Sequence, residues 1–133
     1  MSANDRQHGG DHYKNGKLEH WDVCERYGIG YLESAGTKYL SRWRNKAGLL
    51  DLDKSLHYLD KLIDLVAEGV RLPRGIVPRA ILTMFFEAQQ IQTKWEESLL
   101  TQFFRWETLE DLVRLRDDLA DFINVEGKAY ANS

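Results

Sequence analysis

The stretch that decides the fold is Asp51–Val66, DLDKSLHYLDKLIDLV. Leu52, Leu56, Leu59, Ile63 and Val66 recur through it every three or four residues, which is the period of one apolar face of an α-helix. Asp51 stands where an N-capping carboxylate is expected. Working outward, Leu32 to Lys46 places Leu32, Ala35, Tyr39, Leu40 and Trp43 on one helical face, and Gly48 is its expected stop. Upstream, Trp21, Cys24 and Tyr27 mark a short helix from Lys17 to about Tyr27, ended by Gly28 and Gly30. Downstream, GVRLPRGIV (69–77) breaks the pattern, and Pro78 suits the first residue of the next helix because its missing N–H costs nothing there.

That helix carries Ile81, Leu82, Phe85, Phe86 and Ile91, and a second apolar stretch follows at Leu99, Leu100, Phe103, Phe104 and Trp106. Thr108 followed by Asp111 reads as a capping box for a last helix with Leu109, Leu112, Val113, Leu119, Phe122 and Ile123 inward, closed by Gly127. The expected fold is an all-α, compact bundle of five to six helices. A polar arm spans residues 1–16, followed by a helical core over 17–69 and a helical C-terminal half over 70–133, all within one globular domain. At 133 residues and 43% hydrophobic composition the chain can bury a core without staples. One cysteine, Cys24, excludes an internal disulfide, and no apolar run suits a signal peptide or a membrane span, so a cytoplasmic protein is expected. Met84-Phe85-Phe86 and Phe103-Phe104-Arg105-Trp106 put aromatics at adjacent helical positions, which point in different directions; a homo-oligomer is expected to cover them.

Charge divides the chain. Residues 1–79 hold 13 Lys and Arg against 11 Asp and Glu, whereas residues 80–133 hold 5 against 10, so an anion site is sought in the first half. There Lys38, Arg42 and Lys46 stand at i, i+4 and i+8, with Arg44 beside them and Tyr39 and Trp43 interleaved. Lys and Arg suit phosphates and an aromatic face suits a base, so the row reads either as a nucleotide site or as a solvated helix face. Asp11, His12, Tyr13 and Lys14 with Glu19, His20 and Asp22 offer imidazole and carboxylate, but a glycine-rich arm without a cysteine pair is a poor metal site, and none is expected. Glu107, Glu110, Asp111, Asp118 and Asp121 fall on one helix beside Arg114 and Arg116, which reads as a solvated acidic face rather than a magnesium site. Cys24, inside an apolar stripe, reads as an inert core residue. Signatures of P-loops, dinucleotide folds, serine hydrolases and zinc proteases are missing from the sequence. A pI near 5.8 argues against nucleic acid as a partner.

Asp11-His12-Tyr13, Leu18-Glu19, Asp22, Lys38-Tyr39-Leu40, Arg42, Lys46, Asp51-Leu52, Lys54 and Tyr58-Leu59 together resemble a small, mostly uncharacterised domain family of tailed bacteriophages. A longer member of that family is known as a phage nucleotide kinase without a P-loop. The resemblance covers about residues 11–65; where the family has Gly-Asn before its Lys-Tyr pair, this chain has Ser34-Ala35. It implies a phage-encoded helical protein of the host cytoplasm that binds nucleotides. The matching polar positions are His12, Lys38, Arg42 and Lys46, and the aromatic ones are Tyr13, Tyr39 and Tyr58. The expected function is capture and sequestration of a nucleotide or nucleotide-derived defence signal, which requires no cofactor. One alternative is an Mg²⁺-dependent kinase of deoxynucleoside monophosphates, with Asp22 or His12 positioning the acceptor. A second is a helical adaptor that binds a host protein through its apolar second half.

Overall fold

The computed structural model describes residues 18–132, whose order is entirely helical. Helix α1 (His20–Arg26) leads to α2 (Tyr31–Arg42), a 3₁₀ turn (Trp43–Asn45), α3 (Leu49–Ala67), α4 (Arg79–Ala88), α5 (Lys94–Arg105) and α6 (Leu109–Phe122). A π-helical turn (Ile123–Gly127) then continues into the one-turn α7 (Lys128–Ala131). The all-α bundle is thus present, with no strand among the described residues.

Helices from both halves share one core. Leu40, Trp43, Leu52 and Leu59 lie in the same buried cluster as Phe85, Leu99, Phe103, Leu115 and Phe122. Helix α5 packs against α2, α4 and α6, so residues pointing in different directions around it are all covered. Phe103, Phe104 and Trp106 are therefore buried within a single chain, as is Phe85, while Phe86 is half-buried and Met84 is 39% exposed. The aromatics of α5 consequently need no second copy to cover them. For Phe103, Phe104 and Trp106 the premise that they could not share one small core fails because α5 is central rather than peripheral.

The buried face of α2 differs most from expectation. It consists of Glu33, Gly36, Thr37 and Leu40, while Leu32, Ala35 and Tyr39 are only partly covered. Gly36 is required by proximity, since a Cβ there would collide with the Phe103 ring. Its carbonyl also accepts the Ser55 hydroxyl at 2.9 Å, joining α2 to α3. Helix α2 stops at Arg42 because the chain turns to drive Trp43 into the core, and the turn closes on Gly48 at φ +63°, a value that favours glycine. Gly48, not Asp51, caps α3; Asp51 lies within the first turn, fully buried, and accepts the Ala47 N–H at 3.0 Å.

Two further boundaries shift. Pro78 caps α4 from just outside, and the chain runs past Gly127, which is buried against Leu49 and Leu52 and so serves close packing rather than termination. The capping box of Thr108 and Asp111 forms as expected, with Thr108 Oγ1 accepting the Asp111 N–H at 3.1 Å. Leu109 and Val113, expected inward, are 37% and 43% exposed.

Two buried carboxylates fasten the ends of α5. Glu33 on α2 accepts the Trp106 indole N–H at 3.0 Å and the Arg71 guanidinium at 2.6 Å. Glu96 in the first turn of α5 accepts the Trp43 indole at 2.9 Å, the Arg44 guanidinium at 2.9 Å and the Thr93 hydroxyl at 2.7 Å. Each cluster is one carboxylate with a Trp and an Arg. Together they hold α2, the 3₁₀ turn and the 68–78 loop to one helix.

Candidate functional site

A cavity of about 390 Å³ opens between α1, α2 and the middle of α3. Its more buried wall is built from His20 and Cys24 of α1, Ile29 of the connecting turn, and Ser34 of α2. Its open side carries Tyr31, Lys38, Tyr39 and Tyr58. These tyrosines form a ladder: Tyr39 and Tyr58 stack at 5.9 Å with their planes 9° apart, and Tyr31 meets Tyr58 edge-on at 6.1 Å. A hydrogen bond with Tyr31, and the proximity of that phenol, raise the pKa of Tyr58.

Cations surround the Tyr39 ring. The Arg42 guanidinium lies 4.7 Å from its centroid, Lys54 Nζ 5.1 Å and Lys38 Nζ 5.9 Å, all within the range of cation–π attraction. Arg42 has a second attachment, its Nε lying 3.6 Å from a carboxylate oxygen of the buried Asp51. Truncating Arg42, the obvious substitution from sequence, would therefore leave the buried Asp51 carboxylate without its counter-charge as well as remove a ligand contact. Lys38 is the cleaner probe, because it is exposed and lines the cavity.

Lys38, Tyr39, Arg42 and Tyr58 are thus brought together. Of the cations only Lys38 lines the cavity itself, Arg42 and Lys54 joining it through the Tyr39 ring; Lys46 does neither, because the helical row ends at Arg42 and the 3₁₀ turn carries it beyond, exposed. Trp43 and Arg44, also read as part of the cationic and aromatic face, belong instead to the Glu96 cluster. His12 and Tyr13 lie outside the described residues. The sequence reading of the site omitted Tyr31, Lys54 and the inward-facing His20. Two signals were available: Lys54 and Tyr58 are four residues apart on α3, and His20 and Cys24 four apart on α1.

His20 is fixed in both position and proton. Its ring packs against Phe85 and Phe104, with centroids at 6.0 and 6.3 Å. Its Nε2 lies 2.8 Å from Thr37 Oγ1, and the Thr37 hydroxyl donates to the Glu33 carbonyl at 2.7 Å. Thr37 therefore has only lone pairs left for His20, so Nε2 carries the hydrogen and Nδ1 is an acceptor. Burial, and secondarily the Lys38 charge, pull the His20 pKa from 6.5 down to about 4. Cys24 Sγ sits 3.6 Å from Nε2 and 3.8 Å from Nδ1, and burial pushes its thiol pKa up. The pair is a neutral imidazole and a neutral thiol, in keeping with an unreactive cysteine. Among the described residues no group of three or more His, Cys, Asp or Glu could hold a metal ion.

The shifted histidine makes stability pH-dependent. The unfolded chain takes up a proton near pH 6.5 and the native chain only near 4, so acid favours unfolding between these values. The contribution is flat above pH 6.5 and amounts to about 2 kcal/mol lost between pH 6.5 and 5, at about 1.4 kcal/mol per unit. Urea unfolding of the parent and of His20→Phe at both pH values checks this. The parent is expected to lose more stability on acidification than the variant, and equal losses would contradict it.

Compared with known protein families, curated proteins and solved structures, the chain has no match. No described helix is long and apolar enough to cross a membrane.

Proposed function

We propose that this protein binds a nucleotide or nucleotide-derived ligand and holds it unchanged. The observation that carries this reading is the Tyr39 ring, stacked on Tyr58 and surrounded by Lys38, Arg42 and Lys54 beside a cavity of about 390 Å³. Aromatic surface suits a base and clustered cations suit phosphate, and the volume lies near the lower end of the roughly 300–1,000 Å³ typical of small-molecule sites. In the setting that the phage-family resemblance implies, the protein is phage-encoded and acts in the host cytoplasm by sequestering its ligand.

Calorimetric titration with a panel of nucleoside mono-, di- and triphosphates and cyclic and ADP-ribose derivatives tests the reading. Binding tighter than millimolar is expected for at least one class, weakened about tenfold, or about 1.4 kcal/mol, by Lys38→Ala. Because Lys38 is exposed, its removal is expected to change stability by less than about 0.5 kcal/mol. No affinity across the panel, or an unaffected Lys38→Ala protein, would sink the proposal. Chromatography after incubation is expected to return the ligand intact; a diphosphate formed from a monophosphate and a triphosphate would make the protein a kinase instead.

A further inference from the structure

The cavity is chemically divided, and that division bears on how a ligand sits in it. On the buried wall, the charge-bearing candidates are neutral: His20 holds one hydrogen on Nε2, and Cys24 is a thiol. Ile29 and Ala35 add apolar surface, and Glu25 adds the one formal charge on the α1 side, which is negative. A phosphate pressed against this wall would lose water with Lys38 alone of the cations among the cavity's lining residues, whereas at the rim it would keep water and meet three. On the open side, three cations gather around Tyr39.

Resting on the nucleotide reading above, we propose that the ligand enters base-first, its base hydrogen-bonded to His20 Nδ1 and its phosphate left at the rim among Lys38, Arg42 and Lys54. His20 is thus a specificity-determining residue that reads an N–H on the edge of the base. Its acceptor is set in advance, because Thr37 and the two phenylalanines fix both tautomer and ring plane, so no side-chain order is lost on binding. The ligand class is accordingly a nucleoside phosphate with a single base in the pocket, not a sugar phosphate or an inorganic anion.

Histidine ¹⁵N NMR of the full chain, with three probes, decides the matter. The probes are whichever nucleotide binds in the titration above, its nucleoside, and ribose 5-phosphate. The nucleotide and the nucleoside are expected to move the His20 Nδ1 resonance, with the nucleoside binding more weakly, while ribose 5-phosphate leaves it in place. In calorimetry, ribose 5-phosphate is expected to bind at least tenfold more weakly than the nucleotide. His20→Phe, which keeps an aromatic ring against Phe85 and Phe104, should weaken the nucleotide about tenfold and leave ribose 5-phosphate unchanged. If ribose 5-phosphate shifts Nδ1 as the nucleotide does, or binds as tightly, the base-first placement is overturned while the phosphate site stands. A nucleotide that binds without moving Nδ1 also overturns it. If nothing in the nucleotide panel binds, the nucleotide reading falls and takes this placement with it.

Discussion

Glu33→Ala is expected to destabilise the protein by about 3–5 kcal/mol, the range for removing one partner of a buried ion pair. Glu33 is 3% exposed and the Arg71 side chain 10%, so the guanidinium left behind has little access to water. The same substitution strands the Trp106 indole N–H and frees the 68–78 loop from α2. Urea unfolding monitored by circular dichroism measures the effect through its midpoint. Glu33→Gln separates the two contributions: an amide oxygen still accepts from Trp106 but carries no charge for Arg71, so an intermediate loss is expected. A loss below about 1 kcal/mol for the alanine variant would mean that Arg71 turns out to solvent and the cluster contributes little.

Glu96→Ala should cost less, about 3 kcal/mol, because the Arg44 side chain is 19% exposed and keeps more of its hydration. The larger part of that loss comes from the Trp43 indole, which is fully buried and donates to Glu96. Trp43→Phe, which removes the stranded N–H, should recover part of the loss in the Glu96→Ala background; a purely additive double variant would contradict the assigned bond. Glu96 and Trp106 lie ten residues apart, about 15 Å along an α-helix, so the Glu33 and Glu96 lesions act at opposite ends of α5. The combined variant is therefore expected to add to within about 0.5 kcal/mol. Neither glutamate lines the Tyr39 cavity, so in protein that remains folded neither variant is expected to change which ligand binds.

These two clusters also mark where sequence reading stops. A glutamate within a helix of mixed apolar, hydroxyl and basic residues reads as solvent-facing, because nothing local distinguishes a buried acid from an exposed one. Only the approach of Arg71, 38 positions away, and Trp106, 73 positions away, gives Glu33 its partners. Glu96, between Trp95 and Glu97, likewise carries no local sign of its Trp43 and Arg44 partners, 53 and 52 positions away. In both cases the chain buries a charge that hydropathy alone would place outside.

The candidate site was legible in part for a related reason. Tyr39, Lys38 and Arg42 are neighbours on one helix, so their association follows from helical geometry. Lys46 was extrapolated along the same geometry and lost when Trp43 turned into the core and broke the row. Tyr58 and Lys54 join through the packing of α3 on α2, and His20 through the packing of α1, contacts that no local period encodes.

By itself the sequence determined the helices. Leucine spacing, the Thr108 capping box and the break at 69–77 are local, and local sterics and hydrogen bonding enforce them wherever the chain goes. Tertiary structure decided the inward faces, because burial depends on what arrives from elsewhere. Gly36 is buried because Phe103 comes within reach, Glu33 because Arg71 and Trp106 neutralise it, and the paired aromatics of α5 because helices surround it. The neutral His20 at the cavity wall is also a product of packing, since its proton affinity is set by burial and by Lys38 rather than by anything adjacent in the chain.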